Sequence, residues 1–470
     1  MLSTKTILGA GWSVSSRLGG RVIDFVTILV LARTLTPADF GLTALAMTLI
    51  AIVDTVLEIP LLQALTRLKS IARTHLDTAF TLGVLRGVLV SVVVLAAAWP
   101  FSIIFHESRL TGLVAALAVG PIARSLYSPA MVIFIRQMSF RQTFLAEFLG
   151  KVLASSSAIA LVYLGGGYWA IAASSIMSSV ATALISYVLA PYRPRLSLVN
   201  LPDFSTFLGW FSSAQVVSAL SWQFDRALLG YVVSKSDLGQ YTMASDLSVL
   251  PTQSLVGPAM QPVMAAFARI NDDPERLRNA YLKASRFTMM LAVPTCIGMS
   301  LTSDLIIDVL LGAKWKEAAI YLQWLALATV LSAYYQPLYA LALAINRPSI
   351  IFRLTVVELC ARIVLVSSGL YFYSLMGVVA ARGIVSVIMF FAALLTARKI
   401  AGINMAFEMA NLWRVAASCA VMALLVLFLR NQLVGSGLNM LIELGLTASV
   451  GGIAYVAMLF ALGVRLKNQL

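Results

Sequence analysis

Seven basic side chains, Arg17, Arg21, Arg86, Arg124, Lys151, Arg362 and Arg382, stand inside long apolar runs of this 470-residue chain. Asp24, Asp54, Glu58, Glu147, Asp246 and Glu358 lie at similar depth, with Asp225 nearer the end of its run. In a bilayer each such charge costs about 2.5–3.5 kcal/mol on insertion scales, so it is retained for a reason. At roughly 100° per residue, Arg17, Arg21 and Asp24 share one helix face, as do Asp54 and Glu58. Glu147 and Lys151, like Glu358 and Arg362, are four apart, the separation of an intrahelical ion pair. For these two pairs, mutual neutralisation and cavity lining are equally open readings. Arg86, eight residues into its run, is placed to snorkel to the nearer interface. Arg17, Arg21, Arg124 and Arg382 have no adjacent carboxylate on the same helix that cancels them all. They are expected to line a wet, basic cavity, and guanidinium forks suit a phosphate in particular. The seven cations are thus the candidate substrate-binding residues. The seven acids are candidates for charge balance or for coupling to protons or sodium. No sequence feature demonstrates that coupling, and no metal or other cofactor is implied.

Helices in lipid must position these groups. The chain is 60% hydrophobic and 11% charged, where about 25% charged is usual for soluble proteins, and its mean hydropathy is +0.90. Fourteen apolar runs near the length of a spanning helix recur along it: 9–32, 40–65, 78–103, 110–134, 143–164, 168–190, 205–230 and 238–265, then 281–303, 318–345, 351–373, 376–397, 412–430 and 440–463. The fold class expected is an all-α integral membrane protein. With the N-terminus inside, twenty Lys and Arg fall in or beside cytoplasmic segments against seven outside. That asymmetry places both termini in the cytoplasm.

Composition excludes several classes. Cys296, Cys360 and Cys419 all lie in apolar runs, which suggests neither a disulfide framework nor zinc. His75 and His106 are isolated in separate connectors, as plain interfacial histidines would be. No phosphate-binding Gly-x-x-x-x-Gly-Lys-Ser/Thr loop occurs. The first run is long, interrupted by charge and without a small-residue cleavage site, unlike a removable signal. The net charge of +14 is directed at anionic headgroups, so no nucleic-acid partner is expected.

The chain also matches itself. A shift of 198 residues aligns Gly11-Trp12 with Gly209-Trp210, Asp39 and Gly41 with Asp237 and Gly239, Pro60 with Pro258, and Gln63 with Gln261. A shift of 211 aligns Glu147 and Lys151 with Glu358 and Arg362. Either shift spans six runs, so the halves keep one orientation, as in parallel-repeat transporters. The expected organisation is an N-lobe over 1–190, a basic, proline-punctuated cytoplasmic linker over 191–204, a C-lobe over 205–400, and two extra helices over 401–470. Ser174, Ser178, Thr182 and Ser186 form a stripe expected to serve a close helix contact. Pro60, Pro121, Pro129, Pro251, Pro258, Pro294 and Pro337 are expected to interrupt their spans. Trp12, Trp210 and Trp222 suit interfacial anchoring. The stretch from Arg269 to Arg286 looks like a solvated amphipathic connector with no chemistry.

Three stretches carry a resemblance: Leu31-Ala32-Arg33-Thr34-Leu35-Thr36-Pro37-Ala38-Asp39-Phe40-Gly41, Ala266-Phe267-Ala268-Arg269-Ile270-Asn271-Asp272-Asp273 with Glu275-Arg276-Leu277-Arg278, and Leu311-Gly312-Ala313-Lys314-Trp315. Together they resemble the polysaccharide transporter family of the MOP (multidrug/oligosaccharidyl-lipid/polysaccharide) superfamily, and within it Wzx-type flippases of the colanic-acid and exopolysaccharide group. The resemblance implies two parallel six-helix bundles of the MOP type plus two C-terminal helices. It implies translocation of a polyprenyl-pyrophosphate-linked oligosaccharide from the inner to the outer leaflet of a bacterial cytoplasmic (inner) membrane. Membrane lipids, a polysaccharide polymerase and export machinery are the implied partners. The motifs mark the family and transfer no binding residue. One departure is Glu58-Ile59-Pro60, where the family suggests a small, Gly-containing turn. The rival readings are a multidrug exporter of the same superfamily, disfavoured by the surplus of buried cations, and a membrane glycosyltransferase or polymerase, disfavoured by short outer loops.

Overall fold

The computed structural model describes residues 4–464 except 60, 69, 138, 206–207 and 434–437, and the side chains of these residues except 4–18, 63, 67, 203, 205, 208–214 and 405. All regular structure among the described residues is helical. That is the physical expectation for lipid, where a helix satisfies its own backbone and an open sheet edge does not. The chain divides into two compact units, Met1–Gly239 and Gln240–Leu470.

The first unit holds α1 (Thr4–Thr34), α2 (Pro37–Val56), α3 (Leu61–Arg67), α4 (Arg73–Ile104), α5 (Arg109–Leu117), α6 (Val119–Ser125), α7 (Met131–Arg136), α8 (Arg141–Tyr163), α9 (Trp169–Leu189), α10 (Leu201–Ser205) and α11 (Leu208–Val232). Next comes α12 (Lys235–Pro251), whose first turn belongs to that unit. The second unit continues with a π-turn (Thr252–Val256), α13 (Gly257–Arg269), α14 (Pro274–Leu301), α15 (Ser303–Leu310), α16 (Lys316–Ala333), α17 (Tyr335–Ala344), α18 (Pro348–Ala401), α19 (Met405–Leu433) and α20 (Met440–Ala461).

Eight described helices are long and apolar enough to cross a membrane, or nine if α14 and α15, bent by 74°, form one broken span. Proline reshapes several of the fourteen apolar runs. The run 40–65 breaks after Val56, ahead of Ile59-Pro60, because a residue preceding proline is pushed out of the helical region. The run 110–134 breaks twice, near Pro121 and at Pro129. Here Ser91 of α4 donates to the carbonyl oxygen of Ala118 at 2.6 Å, satisfying a group left at the break. The runs 351–373 and 376–397 are the two helical arms of α18, separated where Tyr373 and Ser374 leave helical backbone angles. Its two arms lie so close that a Cβ on Gly369 would meet the carbonyl oxygen of Gly377 at 2.4 Å.

The repeat acquires a structural meaning at the start of α2 and α12. Thr36 and Asp39 form a capping box: the Asp39 amide donates to the Thr36 hydroxyl at 3.2 Å, and the Thr36 amide donates to the Asp39 carboxylate at 3.0 Å. Ser234, 198 residues after Thr36, accepts from the Asp237 amide at 3.1 Å and donates to the Asp237 carboxylate at 2.8 Å. Within the first unit these two helix starts pack together through Gly41 and Gly239.

The linker is held in place by hydrogen bonds, and one sequence expectation needs correction. The linker is stitched to α4: Tyr192 donates to the buried Asp77, the Ser197 amide donates to Thr81 at 2.8 Å, and the Asn200 amide to Thr78 at 3.3 Å. The stretch from Arg269 to Arg286 is not a solvated connector. Asp273 caps α14, accepting from the Arg276 amide at 3.0 Å, and Leu277, Tyr281, Ala284 and Ser285 are buried in the core of the second unit. Charges on the opposite face disguised that apolar stripe.

Candidate anion-binding site

Asp54, Arg86 and Arg124 meet in the first unit. The Asp54 carboxylate takes Nη2 of Arg86 at 2.7 Å on one oxygen and Nη1 of Arg124 at 3.0 Å on the other. Two guanidinium groups thus share one carboxylate, leaving a formal charge of +1. Local sequence explains the geometry. Because α2 stops ahead of Ile59-Pro60, its last carbonyls lack intrahelical donors. Arg86 supplies them: Nε donates to the Leu57 carbonyl at 2.8 Å and Nη2 to that of Asp54 at 2.7 Å. Rather than snorkelling to an interface, Arg86 ties α4 to the broken end of α2. One residue on, Gly87 lets α6 approach, since a Cβ there would meet the Ser125 hydroxyl oxygen at 2.4 Å and the Pro121 carbonyl oxygen at 3.0 Å. Arg86 and Arg124 are therefore neighbours of the same helix contact.

The two arginines differ in what remains available. Arg86 is 23% exposed and its donors are largely engaged, whereas Arg124 is 51% exposed. Beside Arg124 opens a cavity of about 340 Å³ lined by Tyr127, Ser178, Ser179, Thr182 and Ala183. Part of the serine stripe therefore serves this cavity and part serves packing. Ser186 is buried and accepts the Ser128 amide at 2.9 Å, and Thr182 lies against Gly150, where a Cβ would fall 2.2 Å from its hydroxyl oxygen. A guanidinium fork beside hydroxyls is suited to a phosphate or another oxyanion.

The other candidates are distributed. Lys151 pairs with Asp24 across to α1, a partner that the four-residue spacing did not name, and its stem lies over Gly20. Thr27 and Ser155 continue that seam at 2.6 Å. Arg21 and Asp24 share α1, and Arg21 is half-buried. Arg17 lies on the same helix, its side chain outside those described. Glu147 is exposed on α8, and Asp225 is buried on α11. Glu58 follows α2, and its carboxylate makes no hydrogen bond or ion pair among the described residues. In the second unit, Arg362 pairs within its helix with Glu358 at 2.7 Å; the arginine is only 6% exposed, while the glutamate keeps 26%. Arg382 is half-buried on α18, and Asp246 is exposed on α12.

Outside the apolar spans, Glu107 is bound by Arg109, whose Nη2 lies 2.8 Å from its carboxylate. The hydrogen bond from Arg109 is the main reason the Glu107 carboxyl is held below its ordinary range. Lys235 donates to the Gly230 carbonyl at 2.8 Å, and partial burial lowers the affinity of its amine for a proton.

Sequence reading missed Glu408, which is fully buried in the first turn of α19. It lies ahead of the apolar run 412–430, and its neighbours come from distant helices. The recurrence of Leu277, Tyr281, Ala284, Ser285 and Thr288 at helical spacing was the available sign that a buried face lay opposite.

Comparison with known proteins agrees with this architecture. The sequence profile of the family described as polysaccharide biosynthesis protein matches residues 30–320. The lipopolysaccharide biosynthesis protein WzxC of Escherichia coli (strain K12) is 24% identical over 363 residues, covering 76% of this chain and 73% of that protein. The succinoglycan biosynthesis transport protein ExoT of Rhizobium meliloti (strain 1021) is 24% identical over 337 residues, covering 70% and 67% respectively. Among solved structures, the lipid II flippase MurJ in its inward closed conformation superposes with a TM-score of 0.75 at 14% identity, covering 96% of this chain and 98% of MurJ. An inward-facing multidrug resistance MATE family transporter of the MOP superfamily gives 0.59 at 15% identity, covering 82% and 98%. These structures share the fold.

Proposed function

Because the chain belongs to the polysaccharide biosynthesis protein family, we propose that it is a flippase for a lipid-linked oligosaccharide, the repeat unit of a surface polysaccharide or exopolysaccharide. It is a multi-pass membrane transporter and not an enzyme. Its cargo is a polyprenyl-pyrophosphate-linked glycan moved from the inner to the outer leaflet of the cytoplasmic membrane. In this reading the fourteen apolar runs of the sequence are fourteen spans, two parallel six-helix bundles and two further helices, with both termini in the cytoplasm. A polysaccharide polymerase and export machinery take up the product. Transport by alternating access forms and breaks no covalent bond, so the protein has only to bind a diphosphate, shield it from hydrocarbon and release it.

The observation that carries this reading is Arg124, half-exposed above a hydroxyl-lined cavity while Asp54 holds its other side. A diphosphate arriving there replaces water around a guanidinium already oriented, which limits the ordering cost of binding. The net positive cluster repels a cationic drug, which argues against a multidrug exporter. In this view Arg124 makes the direct contact, with Arg17, Arg21, Arg86 and Lys151 adding positive potential in the first unit and Arg362 and Arg382 in the second. The test is Arg124→Ala against Arg124→Lys in a deletion strain at matched protein level, scoring surface polymer and the leaflet distribution of lipid-linked sugar. Loss in the alanine variant with cargo accumulating in the inner leaflet is expected. Full polymer output from Arg124→Ala would overturn the assignment.

A further inference from the structure

Glu408 is completely buried in the second unit, and neither carboxylate oxygen has a partner at hydrogen-bonding geometry. The groups around it come from three places. Tyr281, Ser285 and Arg286 belong to α14, Tyr334 joins α16 to α17, and Glu408 and Asn411 occupy α19. The hydroxyls of Tyr281 and Tyr334 are buried too and likewise make no hydrogen bond. The titratable groups facing the carboxyl are Tyr281, Tyr334 and Arg286, with the Ser285 hydroxyl beside them. Around this cluster the packing is apolar, including Leu338, Leu341 and Cys419.

Arg286 does not neutralise Glu408 in this packing. Its Nε donates to the Asn411 side-chain oxygen at 2.7 Å, and the Asn411 amide donates to the Leu282 carbonyl at 2.8 Å, closing a clamp between α14 and α19. Glu408 and Asn411 are three residues apart and share a helix face, so they are alternative partners for one guanidinium. An ionised carboxylate held dry is costly when its one cationic neighbour is committed elsewhere, whereas a neutral acid fits among hydroxyls that can both donate and accept. A metal cation is a poor occupant, since it would stand beside Arg286 with a single carboxylate to balance both.

We propose that Glu408 is a reversible proton-binding site that latches α19 onto α14. With the proton on, Arg286 stays with Asn411 and the helices remain closed. When α19 lifts and water enters, the carboxylic acid O–H bond breaks, the proton passes to water, and the carboxylate draws Arg286 away from Asn411. The two arrangements define a two-state element biased by pH. The latch is independent of what cargo the protein carries and stands apart from the Arg124 site.

The test is infrared difference spectroscopy of the full chain in lipid nanodiscs during a pH titration in sodium-free buffer. The expected result is a protonated-carboxyl stretch that disappears on alkalinisation and is missing in Glu408→Gln, a variant that preserves shape and neutrality. Arg286→Gln removes the charge awaiting the carboxylate, so it is expected to require roughly tenfold lower proton concentration for the same loss. An unchanged band in Glu408→Gln, or no such band in the wild-type chain, overturns the proposal. Loss of the band on adding sodium at fixed pH overturns it in favour of a metal-cation site. An unmoved titration in Arg286→Gln refutes the exchange of partners.

Discussion

Gly41 and Gly239 face each other with reciprocal geometry: a Cβ on Gly41 would lie 1.8 Å from the carbonyl oxygen of Lys235, and one on Gly239 would lie 1.9 Å from that of Pro37. Pro37 and Lys235 are themselves related by the shift of 198 that relates the two glycines. The contact is thus made of two copies of one motif meeting face to face, each fixed by its own Thr or Ser cap. Backbone, rather than a yielding side chain, fills the space on both sides.

Alanine at either glycine is therefore expected to destabilise by about 1–3 kcal/mol or more through overpacking. The double variant should cost little beyond the worse single one, because both disturb one contact. Gly298→Ala and Gly383→Ala are the controls, since nothing lies within 4 Å of a Cβ at either position. There the helix gains about 0.8–1 kcal/mol of propensity. Thermal unfolding in detergent measures all five proteins.

Arg86 and Arg124 share Asp54 but should fail differently. Removing Arg86 strips the end of α2 of charge-assisted hydrogen bonds worth about 1.5–3 kcal/mol each, so Arg86→Ala should reduce folded protein. Arg124→Ala should leave the melting temperature within a few degrees while transport falls at least tenfold. Comparing melting temperature with surface polymer separates the two, and equal loss of fold in both variants would refute the distinction.

Gly20 keeps room for Lys151 beside α1, a Cβ there lying 3.3 Å from its amine. Gly20→Val should displace the amine from Asp24 and weaken the α1–α8 seam. Asp24→Lys and Lys151→Asp should each lower the melting temperature, and the double exchange should recover part of the loss. A charge-swapped double variant no better than the singles would show that the pairing contributes nothing.

The Glu107–Arg109 pair supplies a pH signature. A carboxyl held low in the fold stabilises it above the ordinary Glu value of about 4.3, and that contribution disappears as pH falls through the lower folded value. The pair is partly solvent-exposed, so Glu107→Gln should cost at most about 1 kcal/mol at pH 7. The difference from wild type should close on acidification, as read from melting curves across pH. A difference that grows on acidification would contradict the sign.

How far the sequence reached depends on whether a feature is local. The Glu358–Arg362 pair lies within about one turn of helix, where the four-residue spacing names the contact, and the repeat is legible as identities at one fixed shift. The apolar runs announced spanning helices, and Pro121 and Pro129 announced breaks. What stayed hidden were contacts made by distant segments. Asp54 was legible as a charge at depth, but not as the bridge between Arg86 of α4 and Arg124 of α6. Glu408 was invisible because Asp272, Asp273, Glu275, Arg276 and Arg278 made its partner helix look wet at the end where Tyr281 and Ser285 turn inward.

The π-turn at Thr252–Val256, between Pro251 and Gly257, inserts one extra residue into an otherwise continuous helical rod. Its effect is rotational: the wide turn winds fewer degrees per residue than an α-helix, and over its length this offsets the roughly 100° that one extra residue would otherwise add about the axis. Excising a single residue there would restore ordinary winding and leave Met260 and Phe267, now buried, on the same face of α13. The same deletion a few residues away, in ordinary α-winding with nothing to absorb it, would rotate α13 by about 100° and change which side of it meets the protein and which meets lipid.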